Sequence, residues 1–232
     1  MKLDKSLFIN KKPVHLVSED IRLNLYAPGA AIFQVKAKEP LSGSVTFAVG
    51  YSHKKKSVLY FTGYIEKSNT VDDAQQRIIC KELGAMLEYR MPCALRHPTL
   101  HDVLQWYTGK TGLTFITADQ PYAATRVPHF CTTGTGFNGM ANIGKVFNIP
   151  RYIWQCQPDG SIWVGSRDHS RWKTLPVELD EAFFSKTTAD GAKEIAVIPQ
   201  LRPGVEINGQ YISRLQLTGS KMVAKCSTRL KK

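Results

Sequence analysis

The stretch from Pro98 to Arg167 constrains the fold most, because helix and strand signals alternate along it. Thr99 precedes a helical repeat and Asp102 follows three residues later, a pair able to satisfy the free N–H groups of a helix start. Leu100, Val103, Leu104 and Tyr107 recur at the spacing of one helical face. Gly109 and Gly112 predict the end of that helix, and Leu113–Thr117 predicts a short strand. Arg126–Thr132 predicts a second strand. It leads through Thr133-Gly-Thr-Gly136 into a helix whose apolar face is Phe137, Met140, Ile143 and Phe147. Tyr152–Cys156 and Ser161–Val164 then predict a hairpin across Pro158-Asp159-Gly160, a group of residues suited to tight turns.

The flanks carry a different rhythm. Val14–Leu16, Ile21–Leu25, Ala31–Val35, Ser44–Tyr51 and Val58–Ile65 read as strands, with Ile21, Leu23 and Leu25 on one face. His53-Lys-Lys-Lys56 falls between two of them as an exposed hairpin tip. Val71–Ala85 breaks this pattern. It reads as core-packing sequence, either a strand from Asn69 to Cys80 running into a helical turn or mostly helix. Beyond the central stretch, Arg171–Pro176 reads as a linker, followed by Val177–Phe184. Strands follow at Glu194–Ile198, Val205–Ile207, Tyr211–Leu217 and Met222–Ser227. Asn208-Gly209 is a strong two-residue hairpin signal between the second and third of these. The fold class expected is α+β and mainly β. Antiparallel β-barrel arms, residues 1–90 and 172–232, flank an inserted small α/β module at 91–171. The second arm either completes the first barrel or forms another.

The central order, "LHDVLQWYTGKTGLTF" through "FNGMANIGKVFNI" to "WQCQPDGSIWV", resembles the small α/β module at the entrance of secretins and TonB-dependent signalling receptors. The same module occurs inside the central hub proteins of phage tail baseplates. The flanks separate these cases. "IRLNLYAPGAAIFQV" with "GSVTFAVGY" and "VLYFTGYIEK" resembles the opening barrel of a baseplate hub, and "IPQLRPGVEINGQYISRLQLTGSKMVAKC" resembles its closing β-segment. The hub resemblance implies a homotrimeric ring that adapts a tail tube, or a distal tail protein, to a central spike or fibre. It also implies a lumen that passes DNA or a tape-measure protein. The expected place is the virion tail, after assembly in the bacterial cytoplasm. Many hub proteins are longer than this chain. The alternative is a non-enzymatic binding or gating module of a bacterial secretion or uptake system.

Composition narrows the classes further. Hydrophobic residues make up 43% of the 232, enough for a packed core and too many for a disordered chain. No apolar run approaches the ~20 residues that cross a membrane, and Met1–Asn10, with Asp4 near its start, does not read as an export signal. The five cysteines, Cys80, Cys93, Cys131, Cys156 and Cys226, are scattered and odd in number, which fits free thiols in a reducing compartment. A net charge of +12 favours acidic partners, nucleic acid or anionic surfaces. Only Lys54-Lys55-Lys56 and Arg229–Lys232 concentrate that charge, and both read as solvated loops.

Candidate chemistry is sparse. Cys93, His97 and His101 have a spacing that can ligate zinc, but Pro98 and the helix start at Thr99 separate the first two from the face of His101. His129 and Cys131 would share one face of a strand. These residues read as ordinary core cysteines and surface histidines. Gly134-Thr-Gly136 could present N–H groups to an anion at a helix start, yet it lacks the Lys-Ser/Thr ending of a phosphate loop and reads as a cap. Glu178, Asp180 and Glu181 cluster without a partner of opposite role. Arg151-Tyr-Ile-Trp154 and Ser170-Arg-Trp-Lys173 combine charge and aromatic faces, the composition of single-strand nucleic-acid contacts. Trp154 and Trp163 read instead as core or subunit-contact residues. No catalytic, cofactor-binding or metal-binding residue is assigned, and an enzyme is not expected.

Overall fold

The computed structural model describes residues 2–54, 57–172, 176–187 and 191–230. The chain opens with β1 (Leu3–Ile9), β2 (Lys12–Val14), β3 (Leu16–Asn24), β4 (Ala30–Lys36), β5 (Ser44–Tyr51), β6 (Val58–Asp72) and β7 (Gln75–Glu82). Alternate residues of these strands point inward, as in Ile21, Leu23, Phe33, Val35, Val45 and Phe47. β1 lies outside the strands expected from the sequence. Its Leu7 and Ile9 supply the same alternation over a shorter reach and are buried against β5.

Val71–Ala85 resolves into strand and turn rather than helix. β6 runs to Asp72, whose carboxylate accepts the Ala74 N–H at 2.8 Å and tightens the turn into β7. A 3-10 segment, Leu83–Glu88, then leads away from the sheet.

The central stretch holds β8 (Cys93–Arg96), α1 (Leu100–Thr111), β9 (Phe115–Ile116), the four-residue α2 (Pro121–Ala124), β10 (His129–Thr132), α3 (Gly136–Val146), β11 (Tyr152–Cys156) and β12 (Ile162–Ser166). The expected capping box is present: Asp102 N–H donates to Thr99 Oγ1 at 3.1 Å, and Thr99 N–H returns to the Asp102 carboxylate at 2.8 Å. Gly109 does not end α1. The helix passes through it and stops at Gly112, which takes the left-handed conformation at φ 71°. A glycine inside a helix costs only about 1 kcal/mol, less than the packing of Leu100, Val103, Leu104 and Tyr107 supplies. The strand expected at Leu113–Thr117 shrinks to β9, parallel to β12. β10 starts later than expected and pairs with β8, a strand not anticipated in the sequence. Leu100, Val103, Leu104, Tyr107, Phe130, Met140, Ile143, Trp154, Ile162 and Val164 form one apolar cluster.

The chain closes with β13 (Pro176–Val177), β14 (Phe184–Thr187), β15 (Lys193–Ala196), β16 (Glu206–Ile207), β17 (Gln210–Thr218) and β18 (Lys221–Ser227). Asn208 and Gly209, at φ 49° and 73°, make the expected two-residue turn between β16 and β17. β17 then pairs antiparallel with β3, so strands from both ends of the chain share one sheet. Its order is β14-β15-β18-β17-β3-β4-β7-β6-β5-β1-β2, with β16 and β13 attached beside β17.

Antiparallel pairing throughout this path agrees with expectation, whereas closure into a barrel is not seen among the described residues. β2 and β14 stand at opposite ends of the path. Both are short, and the β14 pairing carries a register shift, features that keep edge strands from zipping up. The sheet curls around its own core instead, with Lys5 of β1 ion-paired to Glu19 of β3 and Tyr51 Oη donating to Val197 O at 2.7 Å. Phe33 lies at the centre, with ring centroids 5.5 Å from Phe47 and 6.1 Å from Phe61. The lysine tip and the 171–176 linker fall partly outside the described residues, as do Lys231 and Lys232.

Candidate functional site at the seam between sheet and module

The β11–β12 hairpin is buried on both faces, so one strand pair serves two cores. Trp154 faces the module helices, where it stacks on Phe137 with centroids 5.9 Å apart, and the Cys156 thiol packs on the same side beside Gly84 and Glu82. Gln155 faces the other way. Its Nε2 donates to Pro203 O at 2.6 Å, and its Oε1 accepts from Trp172 Nε1 at 2.9 Å. Tyr26, just beyond β3, binds the same hairpin through Tyr26 N–H to Trp154 O at 3.2 Å and Tyr26 Oη to Tyr152 O at 3.0 Å. Thr62 of β6 donates to Pro158 O in the hairpin turn at 2.6 Å.

Arg202 is the centre of this seam. It is 2% exposed and comes from the Leu201-Arg-Pro-Gly204 stretch between β15 and β16. Its Nη2 donates to Glu82 Oε1 at 2.9 Å and to Cys156 O at 3.1 Å, and its Nη1 donates to Tyr60 O. Glu82 ends β7, Tyr60 lies in β6 and Cys156 lies in the module hairpin. Three parts of the chain therefore meet on one guanidinium.

The Tyr60 carbonyl is free for a local reason. In the β5–β6 register Phe47 faces Phe61 and the adjacent Ala48 faces Leu59, so Tyr60 is the extra residue of a bulge. Its carbonyl is skipped by that ladder, and Arg202 takes it. Glu82 Oε2 in turn accepts the Gly29 N–H at 2.6 Å. Burial pushes the Glu82 carboxyl up, against the pull of the Arg202 charge and the Gly29 N–H. Burial likewise raises the Tyr60 hydroxyl, and raises the Cys156 thiol well above its ordinary value.

A second, more exposed bridge lies alongside. Arg167, buried, donates from Nε to Gly204 O at 3.1 Å and ion-pairs Glu206 at 3.2 Å. Its guanidinium sits 4.9 Å from the Tyr211 ring centre. Arg151 approaches Tyr211 as well, donating to Tyr211 Oη at 2.6 Å while ion-paired to Asp168. This is positioning and electrostatic chemistry.

The residues singled out in the sequence are placed elsewhere. Cys93 is buried and faces Thr132 across β8 and β10, whereas Cys131 is exposed. His97 and His129 come together, rings perpendicular and 6.3 Å apart, and His101 lies on α1 beside Leu104 and Phe115. Among the described residues no three of His, Cys, Asp and Glu gather at metal-binding distance. In the Gly134–Gly136 turn the Gly136 N–H donates to Tyr89 O at 3.2 Å and the Thr135 N–H to Asn138 Oδ1 at 3.0 Å, so both are used internally. Glu178 and Asp180 are exposed, Asp180 accepting from Ala182 N–H at 3.0 Å; the side chain of Glu181 lies outside the described residues. Trp154 is buried as expected and Trp163 is half-buried. Arg171 packs over Trp172 at 4.7 Å, and Lys173 is not among the described residues.

This fold is shared with solved phage and prophage tail proteins. The 43 kDa tail protein of prophage MuSo2 from Shewanella oneidensis superposes with a TM-score of 0.71 at 11% identity, over 97% of each chain. An Escherichia coli protein, described as a component of the type VI secretion system with structural similarity to the bacteriophage T4 tail proteins gp27 and gp5, superposes with a TM-score of 0.57 at 9% identity, over 97% of this chain and 76% of its own. In sequence, an uncharacterized 58.7 kDa protein of Haemophilus phage HP1 is 32% identical over 225 residues, 96% of this chain. The chain spans 42% of that relative's length. No family model matches.

Proposed function

We propose that this chain is a structural, non-enzymatic hub of a phage tail baseplate, in which copies form a ring that joins the tail tube to a central spike or fibre. The observation that carries the reading is the two-way superposition on the 43 kDa prophage tail protein, 97% of each chain. The relative from phage HP1 supports it. In this reading the strands of residues 1–90 and 172–232 form one tube-like arm, and 91–171 is the inserted module. The direct β3–β17 pairing and the separate apolar cluster of the module support that division. The ring is a homotrimer, completed where sheet edges pair or pack between copies. Its lumen passes DNA or a tape-measure protein, and the net charge of +12 suits that passage. The particle is assembled in the host cytoplasm and ends in the virion tail.

Light scattering and negative-stain imaging test this, on the chain alone and after co-expression with tube and spike neighbours. A trimer with a central opening supports it. A compact monomer that ignores those neighbours overturns it. The likeness to the E. coli secretion component favours a second reading, a binding or gating module of a secretion or uptake system. Recovery of secretion-machine subunits rather than tail proteins on co-purification would select that reading.

A further inference from the structure

Two adjoining recesses lie at the outer end of the seam, with volumes of about 720 Å³ and 630 Å³. They share Tyr211, Arg229 and Leu230 and run between the C-terminal half of α3 and the ends of β3, β17 and β18. Lys145, Arg151, Arg214, Lys225 and Arg229 line them, and no aspartate or glutamate does. Arg151 is already held by Asp168 and Tyr211, and Arg214 donates to Asn24 at 3.2 Å. Among the described residues, neither Lys145 nor Arg229 has a carboxylate within ion-pair distance. Like charges gathered between low-dielectric walls repel one another and concentrate positive potential, so a negative occupant is stabilised there. The walls are not purely polar. Ile149, Tyr152 and Leu230 form an apolar side, and the buried Tyr152 hydroxyl is already committed to Met140 O at 2.6 Å.

We propose that this cleft is the docking site for an acidic segment of a partner protein, one that places an apolar side chain between carboxylates. Carboxylates would meet Lys145 and Arg229 at the rim, and the apolar side chain would enter against Ile149 and Leu230. A nucleic-acid strand offers charge but no aliphatic side chain for that wall. The inference goes beyond the ring reading. It requires no particular oligomeric state, so its failure leaves that reading standing and the reverse holds too.

The probes are three fluorescein-labelled molecules of equal length: a peptide repeating Glu-Leu-Asp, an all-glutamate peptide and a single-stranded DNA oligonucleotide. Fluorescence anisotropy follows their binding to the full chain, to K145E/R229E, and to K12E/K36E, which makes the same change in net charge at exposed positions outside the cleft. The expected result is that the leucine-bearing peptide binds at least about tenfold more tightly than the other two, and that only K145E/R229E loses about tenfold or more of that affinity. Circular dichroism checks each variant, and K145Q/R229Q replaces the reversal if that variant does not fold. Equal binding of all three probes overturns the proposal by reducing the cleft to part of a general positive field. Preferred binding of the oligonucleotide, or equal losses in both double variants, overturns it too.

Discussion

Arg202→Met cuts the seam at its centre while keeping most of the side-chain volume. Glu82, 2% exposed, is left with the Gly29 N–H and the Cys156 thiol, neither of which carries a balancing charge. The carbonyls of Tyr60 and Cys156 lose the donor they share. An uncompensated buried charge costs about 3–5 kcal/mol, whereas the intact pair is worth much less against an apolar replacement. The single variant is therefore expected to lose about 3–5 kcal/mol, a large part of the 5–15 kcal/mol typical of a folded domain. Glu82→Leu should lose a comparable amount, since it leaves the buried Arg202 charge unpaired. The double variant removes both charges and should cost at least about 2 kcal/mol less than the two singles added together. Urea unfolding followed by tryptophan fluorescence suits the measurement, because Trp154 and Trp172 are both buried at the seam. Strict additivity of the two singles, or a loss under about 1 kcal/mol for Arg202→Met at unchanged m, would refute the claim that this ion pair holds the 201–204 turn against β7.

Other outcomes follow from the same geometry. A Cβ at Gly139 of α3 would lie 1.7 Å from the Tyr107 hydroxyl of α1, so Gly139→Ala should destabilise by about 1–3 kcal/mol in thermal unfolding, and the additional change Tyr107→Phe should recover part of that loss. The Thr99 N–H and hydroxyl hold the Asp102 carboxyl below its ordinary 3.8. A depressed carboxyl contributes stability that is fully present above 3.8 and is lost as pH falls through the lower folded value. Asp102→Asn should therefore flatten the acid limb of stability against pH, seen as a smaller drop in Tm below that point. Cys131 is the exposed thiol, Cys226 is half-buried, and burial pushes the Cys80 thiol up to about 12. Titration with a thiol reagent should label Cys131 first and Cys226 more slowly, while Cys80, Cys93 and Cys156 react only as the chain unfolds.

Local chemistry made much of the fold legible. The Thr99–Asp102 box, the Asn208-Gly209 turn and the alternation of β3, β4 and β5 each depend on residues within a few positions of one another. Legibility failed where a signal was short or its partner distant. β8 is four residues long and exists because β10 pairs with it, about 35 residues later. Gly109 looked like a stop because a glycine weakens a helix, but the buried face of α1 outweighs that cost. Closure of the arms depends on edge contacts, which the alternation inside each strand does not encode.

The seam was illegible for a stronger form of the same reason. Arg202 and Glu82 stand 120 positions apart, and neither residue type carries a signal of burial by itself. The local hint was Arg202 set between Leu201 and Pro203-Gly204, a charge inside an otherwise apolar turn. Gln155 between Trp154 and Cys156 is a similar hint, since its neighbours already account for the module face of the strand. Both polar residues face the opposite side, where a second core had to exist for them to be buried at all. An ion pair there adds little net stability over apolar packing, but it penalises any arrangement in which the 201–204 turn parts from β7 and leaves a charge without its partner. That penalty fixes how the two ends of the chain meet beside the Cys156 carbonyl of the hairpin, and the Arg202–Glu82 cycle measures it directly.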